Sequence, residues 1–109
     1  MVKCSEDNLD KLFFALSDPN RRHVVTALLD GEKALGDLAP PFKMTIPAVM
    51  KHIAILENSG IVKTEKRGRI RYCRLEPDQL ELAREWLADT TRMWTDRLRA
   101  LSQFLEENP

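Results

Sequence analysis

The chain has little of what small secreted proteins and membrane proteins depend on. Its 109 residues include two cysteines and four glycines. Cys4 and Cys73 lie too far apart for a CxxC pair and are too few for a disulfide framework. No apolar run approaches the roughly 18 residues that a membrane span needs, and the acidic start lacks the order of a signal peptide. We therefore expect a soluble protein of the reducing cytoplasm, without a membrane partner.

Groups that carry catalysis are equally scarce. The two histidines, His23 and His52, fall on separate predicted helices, and the chain has no glycine-rich phosphate loop and no nucleophile motif. A chain of this length forms one domain, here residues 1–109, with a core but little room for a deep internal site. The sequence thus predicts a protein that is not an enzyme, has no cofactor and functions through its surface.

The chain has no net charge, but its basic side chains are concentrated in one segment. The chain carries 17 basic and 17 acidic side chains, so its formal net charge is zero. Residues 43–74, however, hold eight basic and two acidic side chains, and the segments on either side are net acidic. Because the field near a surface is set by local charge, this basic segment can attract phosphate although the whole chain is neutral.

Apolar spacing predicts helices in the first part of the chain. The first helix ends near Ser17 and carries apolar residues at three- and four-residue steps, namely Leu9, Leu12, Phe13 and Leu16. A second helix begins at Asp18-Pro19 and stops at Asp30-Gly31. A short third helix near residues 35–39 ends at Pro40-Pro41, since proline lacks the N–H that would continue it.

A fourth helix completes a helix-turn-helix over about residues 34–59. Thr45 is its predicted N-cap, and Ser59-Gly60 marks its end. Its inward stripe consists of Val49, Ile53 and Leu56. The third and fourth helices therefore follow each other in the order of a DNA-binding motif.

A hairpin and a long helix complete the predicted domain. Residues 61–64 and 70–75 read as strands that flank Lys66-Arg67-Gly68-Arg69, so a wing is predicted over about 61–75. A helix follows over about 78–106, with a stripe formed by Leu87, Thr90, Trp94, Leu98, Leu101 and Leu105. Only the first helix could cover this stripe within the chain, so we expect the last helix to pack against its counterpart in a second copy. The predicted fold is a winged helix-turn-helix, mainly α with a small β-hairpin.

This arrangement predicts binding to double-stranded DNA. The recognition helix presents Thr45, Ile46, Pro47, Met50, Lys51 and His52, and the wing presents Lys66, Arg67, Arg69 and Arg71. Thr45, Lys51 and His52 can hydrogen-bond a base or a phosphate, whereas Ile46 and Met50 can meet thymine methyl groups. The wing residues are expected to contact phosphates, with Arg21 and Arg22 as further candidates.

Each assignment has a competing structural interpretation. Ile46 and Met50 could instead be partly buried against the second and third helices. A basic hairpin can simply be solvated, as can Arg21 and Arg22 on a helix. His52 can pack between helices instead of contacting phosphate.

Four sequence blocks, taken in order, resemble the ArsR/SmtB family of bacterial winged-helix repressors. They are Leu16-Ser-Asp-Pro-Asn-Arg-Arg22, Thr45-Ile-Pro-Ala-Val-Met-Lys-His52, Leu56-Glu-Asn-Ser-Gly-Ile-Val62 and Lys66-Arg-Gly-Arg-Ile-Arg-Tyr72. The resemblance covers about residues 8–105. It implies a homodimer that binds an imperfect palindromic operator and represses its own or a neighbouring operon. It also implies that the first and last helices form the dimer interface, so that Leu9, Leu12, Phe13 and Leu16 would join the stripe of the last helix there.

The resemblance does not carry the family's metal sites over to this chain. The Cys-x-Cys motif of the third helix falls on Ala34-Leu35-Gly36, so both thiolates are absent. The second family site uses histidines and carboxylates of the final helices, but residues 75–109 contain no histidine. Because carboxylates alone are unusual zinc ligands, we expect the branch of the family without these metal sites.

Three other functions stay open at this point. A winged-helix protein-interaction module would use the long last helix and would have no need of the basic segment. A thiol-responsive repressor, of a kind found in the family, would pair Cys4 with Cys73. An inducer-binding repressor would hold a small ligand near Trp86, Met93 and Trp94. The inducer itself is unknown.

Overall fold

The computed structural model describes residues 6–40 and 43–108. Within these ranges five α-helices and three strands follow one another as α1 Glu6–Ala15, α2 Pro19–Ala27, β1 Lys33–Ala34, α3 Leu35–Leu38, α4 Ile46–Asn58, β2 Val62–Arg67, β3 Ile70–Leu75 and α5 Pro77–Glu107. A 3₁₀ turn, Leu28–Asp30, extends α2. The predicted winged helix-turn-helix fold is confirmed.

The helix starts lie where the capping residues predict them. The Asp18 carboxylate accepts a hydrogen bond of 2.7 Å from the Asn20 N–H, with Pro19 in the first turn of α2. The Thr45 hydroxyl accepts one of 3.3 Å from the Ala48 N–H and so caps α4. After Ser59, Gly60 adopts φ +84°, which ends α4 and turns the chain into the wing.

The wing belongs to a three-stranded antiparallel sheet with the order β1-β3-β2. Strands β2 and β3 pair from Val62 with Leu75 to Arg67 with Ile70, and Gly68 and Arg69 form the turn. The predicted hairpin is therefore present, although Lys66 and Arg67 lie in β2 instead of the turn. Strand β1 was not predicted because two residues carry no periodicity. It pairs with β3 and joins the wing to the helices.

The core lies between the helices and the base of the wing. Its members are at most 8% exposed and include Leu12, Val24, Leu38, Val49, Ile53, Leu56, Ile61, Val62 and Cys73. The inward stripe of α4 is therefore as predicted. Leu12, in contrast, was expected at the dimer interface but is 1% exposed. It faces the core of its own protomer and cannot present a surface to a partner.

Helix α5 extends far beyond this core. The Phe13 ring meets Trp86 edge to face at a centroid distance of 5.9 Å, which packs the start of α5 on α1. From Arg84 onward every described side chain of α5 is exposed, and the domain measures 70 × 34 × 22 Å. None of the helices in the described ranges combines the length and the apolarity that crossing a membrane requires.

Candidate nucleic-acid interface

The outer side of α4 is open to solvent. Ile46 is 43% exposed and Met50 is 52% exposed, so neither side chain is buried against α2 or α3. Thr45, Pro47 and Lys51 are also exposed. Because Val49, Ile53 and Leu56 hold the opposite side of α4 in the core, the start of the helix projects a mixed apolar and basic surface.

The wing arginines differ in how freely they can bind. In the part of the chain that the structure describes, Lys66 and Arg69 are exposed and have no ion-pair partner. Arg67 forms an ion pair with Glu32, lies 3.7 Å from the Glu65 carboxylate and stacks on the Tyr72 ring. The hydrogen bond to Glu32 raises the pKa of Arg67 above its ordinary value. Of these cations, Arg67 alone is already neutralised by a carboxylate.

Arg71 ties the wing to α4. Its Nη1 donates to the Thr64 hydroxyl at 2.9 Å, and that hydroxyl donates to Glu57 Oε2 at 3.0 Å. Glu57 lies at the end of α4, so a hydrogen-bond chain connects β3 through β2 to the recognition helix. This chain fixes the wing relative to α4.

The tip of the wing and the start of α4 border one groove of about 460 Å³. The residues lining it are Ala34, Leu35, Gly36, Ile46, Met50, Arg69, Ile70 and Arg71, with no acidic side chain among them. Two predicted sites, far apart in sequence, therefore share one face. Ile70 was missed by the sequence interpretation. It is 47% exposed, and its position directly after the basic turn was the available signal.

Arg21 does not have the role expected of it. Its side chain is 6% exposed, so the residue is buried and cannot reach a phosphate. Its Nε donates to the Ala15 carbonyl at 2.7 Å, its Nη2 donates to the Phe14 carbonyl at 3.1 Å, and its Nη1 lies 3.4 Å from His52 Nδ1. Arg22 is exposed and donates to the Leu16 carbonyl at 2.7 Å. His52, half-buried, therefore contacts a neighbouring helix as well as bordering the open side of α4.

The residues of the predicted thiol switch and ligand site differ in their burial. Cys73 is fully buried, and burial, followed by the charges of Glu57 and Glu32, raises the pKa of its thiol to about 12. Cys4 lies outside the described residues. Within residues 6–40 and 43–108 no three His, Cys, Asp or Glu side chains cluster as metal ligands would. Trp86, Met93 and Trp94 are between 43% and 63% exposed, so one protomer does not enclose a ligand there.

A recognition helix beside a basic β-hairpin on a helical scaffold defines a winged helix-turn-helix domain. Residues 18–64 match the family model described as bacterial regulatory protein, arsR family. The HTH-type transcriptional regulator Rv2034 of Mycobacterium tuberculosis is 32% identical over 89% of this chain and 88% of its own length. The transcriptional repressor SdpR of Bacillus subtilis is 28% identical over 72% of this chain and 88% of its own length.

A solved structure agrees with these matches. The crystal structure of an ArsR family transcriptional regulator is 39% identical, covers 87% of this chain and 97% of that chain, and superposes with a TM-score of 0.80. The chain belongs to the ArsR family of bacterial regulatory proteins. It is a transcriptional regulator and not an enzyme, as the sequence predicted.

Proposed function

We propose that the protein binds operator DNA as a homodimer and represses transcription. The observation that carries this proposal is the shared face of α4 and the wing, where an exposed helix start and unpaired cations border a groove without acidic side chains. The relative named a transcriptional repressor supports repression over activation. Operator binding would place the protein with the chromosome, in the bacterial cytoplasm.

The two elements would have separate tasks. On α4, Thr45, Ile46, Pro47, Met50, Lys51 and His52 would face the major groove, where Lys51 can hydrogen-bond and the exposed Ile46 and Met50 can contact thymine methyl groups. On the wing, Lys66, Arg67, Arg69 and Arg71 would contact phosphates. Arg69 and Lys66 can do so directly, whereas a phosphate must displace Glu32 to reach Arg67. Choice of sequence therefore depends on the helix, and affinity depends largely on the wing.

The dimer would form along α5. Its exposed stripe comprises Leu87, Thr90, Trp94, Leu98, Leu101 and Leu105. Leu9 and Phe13 of α1, and Leu16 just after α1, would add to it. An apolar stripe on a helix of 31 residues, about 46 Å long, is costly to leave in water. A second copy with the same stripe would bury it and would place two recognition helices on one operator.

The other functions find less support. An interaction module gives no reason for the basic groove between α4 and the wing. A thiol switch would need Cys73 as a thiolate, but burial holds this thiol in its neutral form. Both alternatives are outcomes of the experiment below.

The test is selection of bound sequences by the purified protein from a pool of random duplexes, with and without zinc and oxidant. We expect a palindromic consensus, and at least tenfold weaker binding to it by the Lys51→Ala/Arg69→Ala double variant, which removes about two phosphate or base contacts from each protomer. The matched control, Arg92→Ala, removes an exposed arginine of α5 that pairs with Asp89 and should leave binding unchanged. Recovery of no preferred sequence would favour the interaction module, and loss of binding only in oxidant would favour the thiol switch.

A second selection tests the helix alone. Met50→Ser removes an exposed apolar side chain and should change the consensus at the positions that carry thymine. An unchanged consensus would mean that Met50 does not contact the bases.

A further inference from the structure

The contacts of Arg21 join three helices through one buried side chain. Arg21 lies in the first turn of α2, its Nε and Nη2 donate to the last carbonyls of α1, and its Nη1 lies 3.4 Å from His52 of α4. The guanidinium also stacks on the Phe14 ring at 5.2 Å. Helix α1 has no basic residue in its last turn, so Arg21 supplies the cation at the negative end of that helix. A buried arginine with this many fixed partners is held in one position.

We propose that Arg21 is a positioning residue that fixes the recognition helix relative to α1, and thereby sets the spacing of the two recognition helices in the dimer. The inference rests on the proposed function, since α1 matters for spacing only if it lies at the dimer interface. Half-sites of one operator lie about 34 Å apart, and the two recognition helices must match that spacing to enter both grooves. A rotation of α4 at its contact with α2 would spoil this match without removing any DNA contact.

The hydrogen bond between Arg21 and His52 requires one protonation state of His52. Arginine can only donate hydrogen bonds, so this contact is a hydrogen bond only when His52 Nδ1 accepts, with the ring neutral and its proton on Nε2. Protonated His52 offers no acceptor, and its charge would lie beside that of Arg21. The charged groups that face His52 from α2 are Arg21 and Asp18.

Two roles of His52 therefore make opposite predictions. If His52 contacts a phosphate directly, protonation should strengthen operator binding. If His52 serves as the acceptor for Arg21, protonation should release α4 and weaken binding to the operator in particular. The sign of the pH dependence distinguishes the two.

The experiment measures affinity for the duplex selected by the wild-type protein and for an unrelated duplex of equal length. From about pH 8 to about pH 5.5 we expect the ratio of the two affinities to fall about tenfold in the wild type, the effect of one charge-assisted hydrogen bond. Arg21→Met should start from a lowered ratio and show no such fall. The matched control, His23→Gln on α2, should keep the wild-type profile. A ratio that is constant or rises in acid overturns the proposal.

A double-mutant cycle gives the second readout. Arg21→Met and His52→Leu should each lower the ratio about tenfold. The double variant should lower it no further, because each substitution removes the same contact, the one between Arg21 and His52. An additive loss of about a hundredfold would show independent roles and refute the coupling. If Arg21→Met does not fold, it is replaced by Arg21→Lys, which keeps a cation near the α1 carbonyls. The pH profile of the wild-type protein can be measured without any variant.

The outcomes separate the two claims. A wild-type protein that selects no duplex refutes the proposed function and this inference with it. A wild-type protein that selects a duplex, with variants that keep the full ratio, refutes this inference alone.

Discussion

The ion pair between Arg67 and Glu32 makes a quantitative prediction about how the wing binds DNA. Arg69 and Arg67 carry the same charge on the same hairpin, but only Arg67 is paired with carboxylates. Removing Arg69 should therefore remove a phosphate contact, whereas removing Arg67 should change DNA binding less. Glu32→Gln should have the opposite effect, since it releases Arg67 for a phosphate.

The magnitude follows from counterion release. Each phosphate contact to B-form DNA contributes about 0.9 to the slope of log affinity against log salt concentration. A dimer presents every wing residue twice, so Arg69→Ala should reduce the steepness of the slope by about 1.8, and Glu32→Gln should increase it by up to about 1.8. Arg67→Ala should alter the slope by clearly less than Arg69→Ala.

The assay is fluorescence anisotropy of a labelled duplex, titrated with protein over a series of salt concentrations from about 0.05 to 0.2 M. Arg92→Ala, an arginine of α5 that pairs with Asp89, is the control and should keep the wild-type slope. Equal changes for Arg67→Ala and Arg69→Ala would refute the claim that Glu32 restrains Arg67. An unchanged slope for Arg69→Ala would show that the wing tip does not contact phosphate.

Three further predictions concern the dimer, the core and the buried thiol. Leu98→Asp should convert the dimer to monomer in sedimentation equilibrium, because it places a charge in the apolar stripe, whereas Gln103→Asp on the opposite side of α5 should stay dimeric. Leu56→Ala, at a side chain with 0% exposure, should lower the free energy of unfolding in urea by about 2–5 kcal/mol; a loss below about 1 kcal/mol would contradict the packing described.

In a Cys4→Ser background, the Cys73 thiol should react with iodoacetamide at about pH 8 at least 100-fold more slowly than in the unfolded chain. Because folding raises its pKa from 9.0 to about 12, its contribution to stability should be complete below pH 9.0 and fall as the pH approaches 12. Equal rates in the folded and unfolded chain would contradict its burial.

Helix boundaries and the wing could be predicted because their signals are local. Thr45, Asp18-Pro19 and Ser59-Gly60 act on backbone groups within a few residues, so the sequence alone places the ends of α2 and α4. The two strand-like segments on either side of Gly68 similarly predict a hairpin. The stripe of α5 could be predicted because its spacing is helical, and among the described residues α1 packs only against the start of this helix.

Side-chain partners between elements could not be predicted in this way. Leu12 has the same spacing as Leu9 and Phe13, and only the packing of α1 shows that it faces the core. Arg21 and Arg22 are adjacent, and one is buried against two helices while the other is exposed. The two-residue strand β1 forms only because β3 offers it an edge.

The sequence by itself determined a winged helix-turn-helix with a basic recognition surface and an apolar last helix, since periodicity, caps and turn residues act over a few positions. Only the tertiary structure decided which cations remain free for DNA. It pairs Arg67 with Glu32, buries Arg21 against His52 and leaves Arg69 exposed at the wing tip. The physical reason is that a charged side chain interacts with whichever groups the fold brings within a few ångströms, and Arg21 and His52 lie 31 residues apart in the sequence.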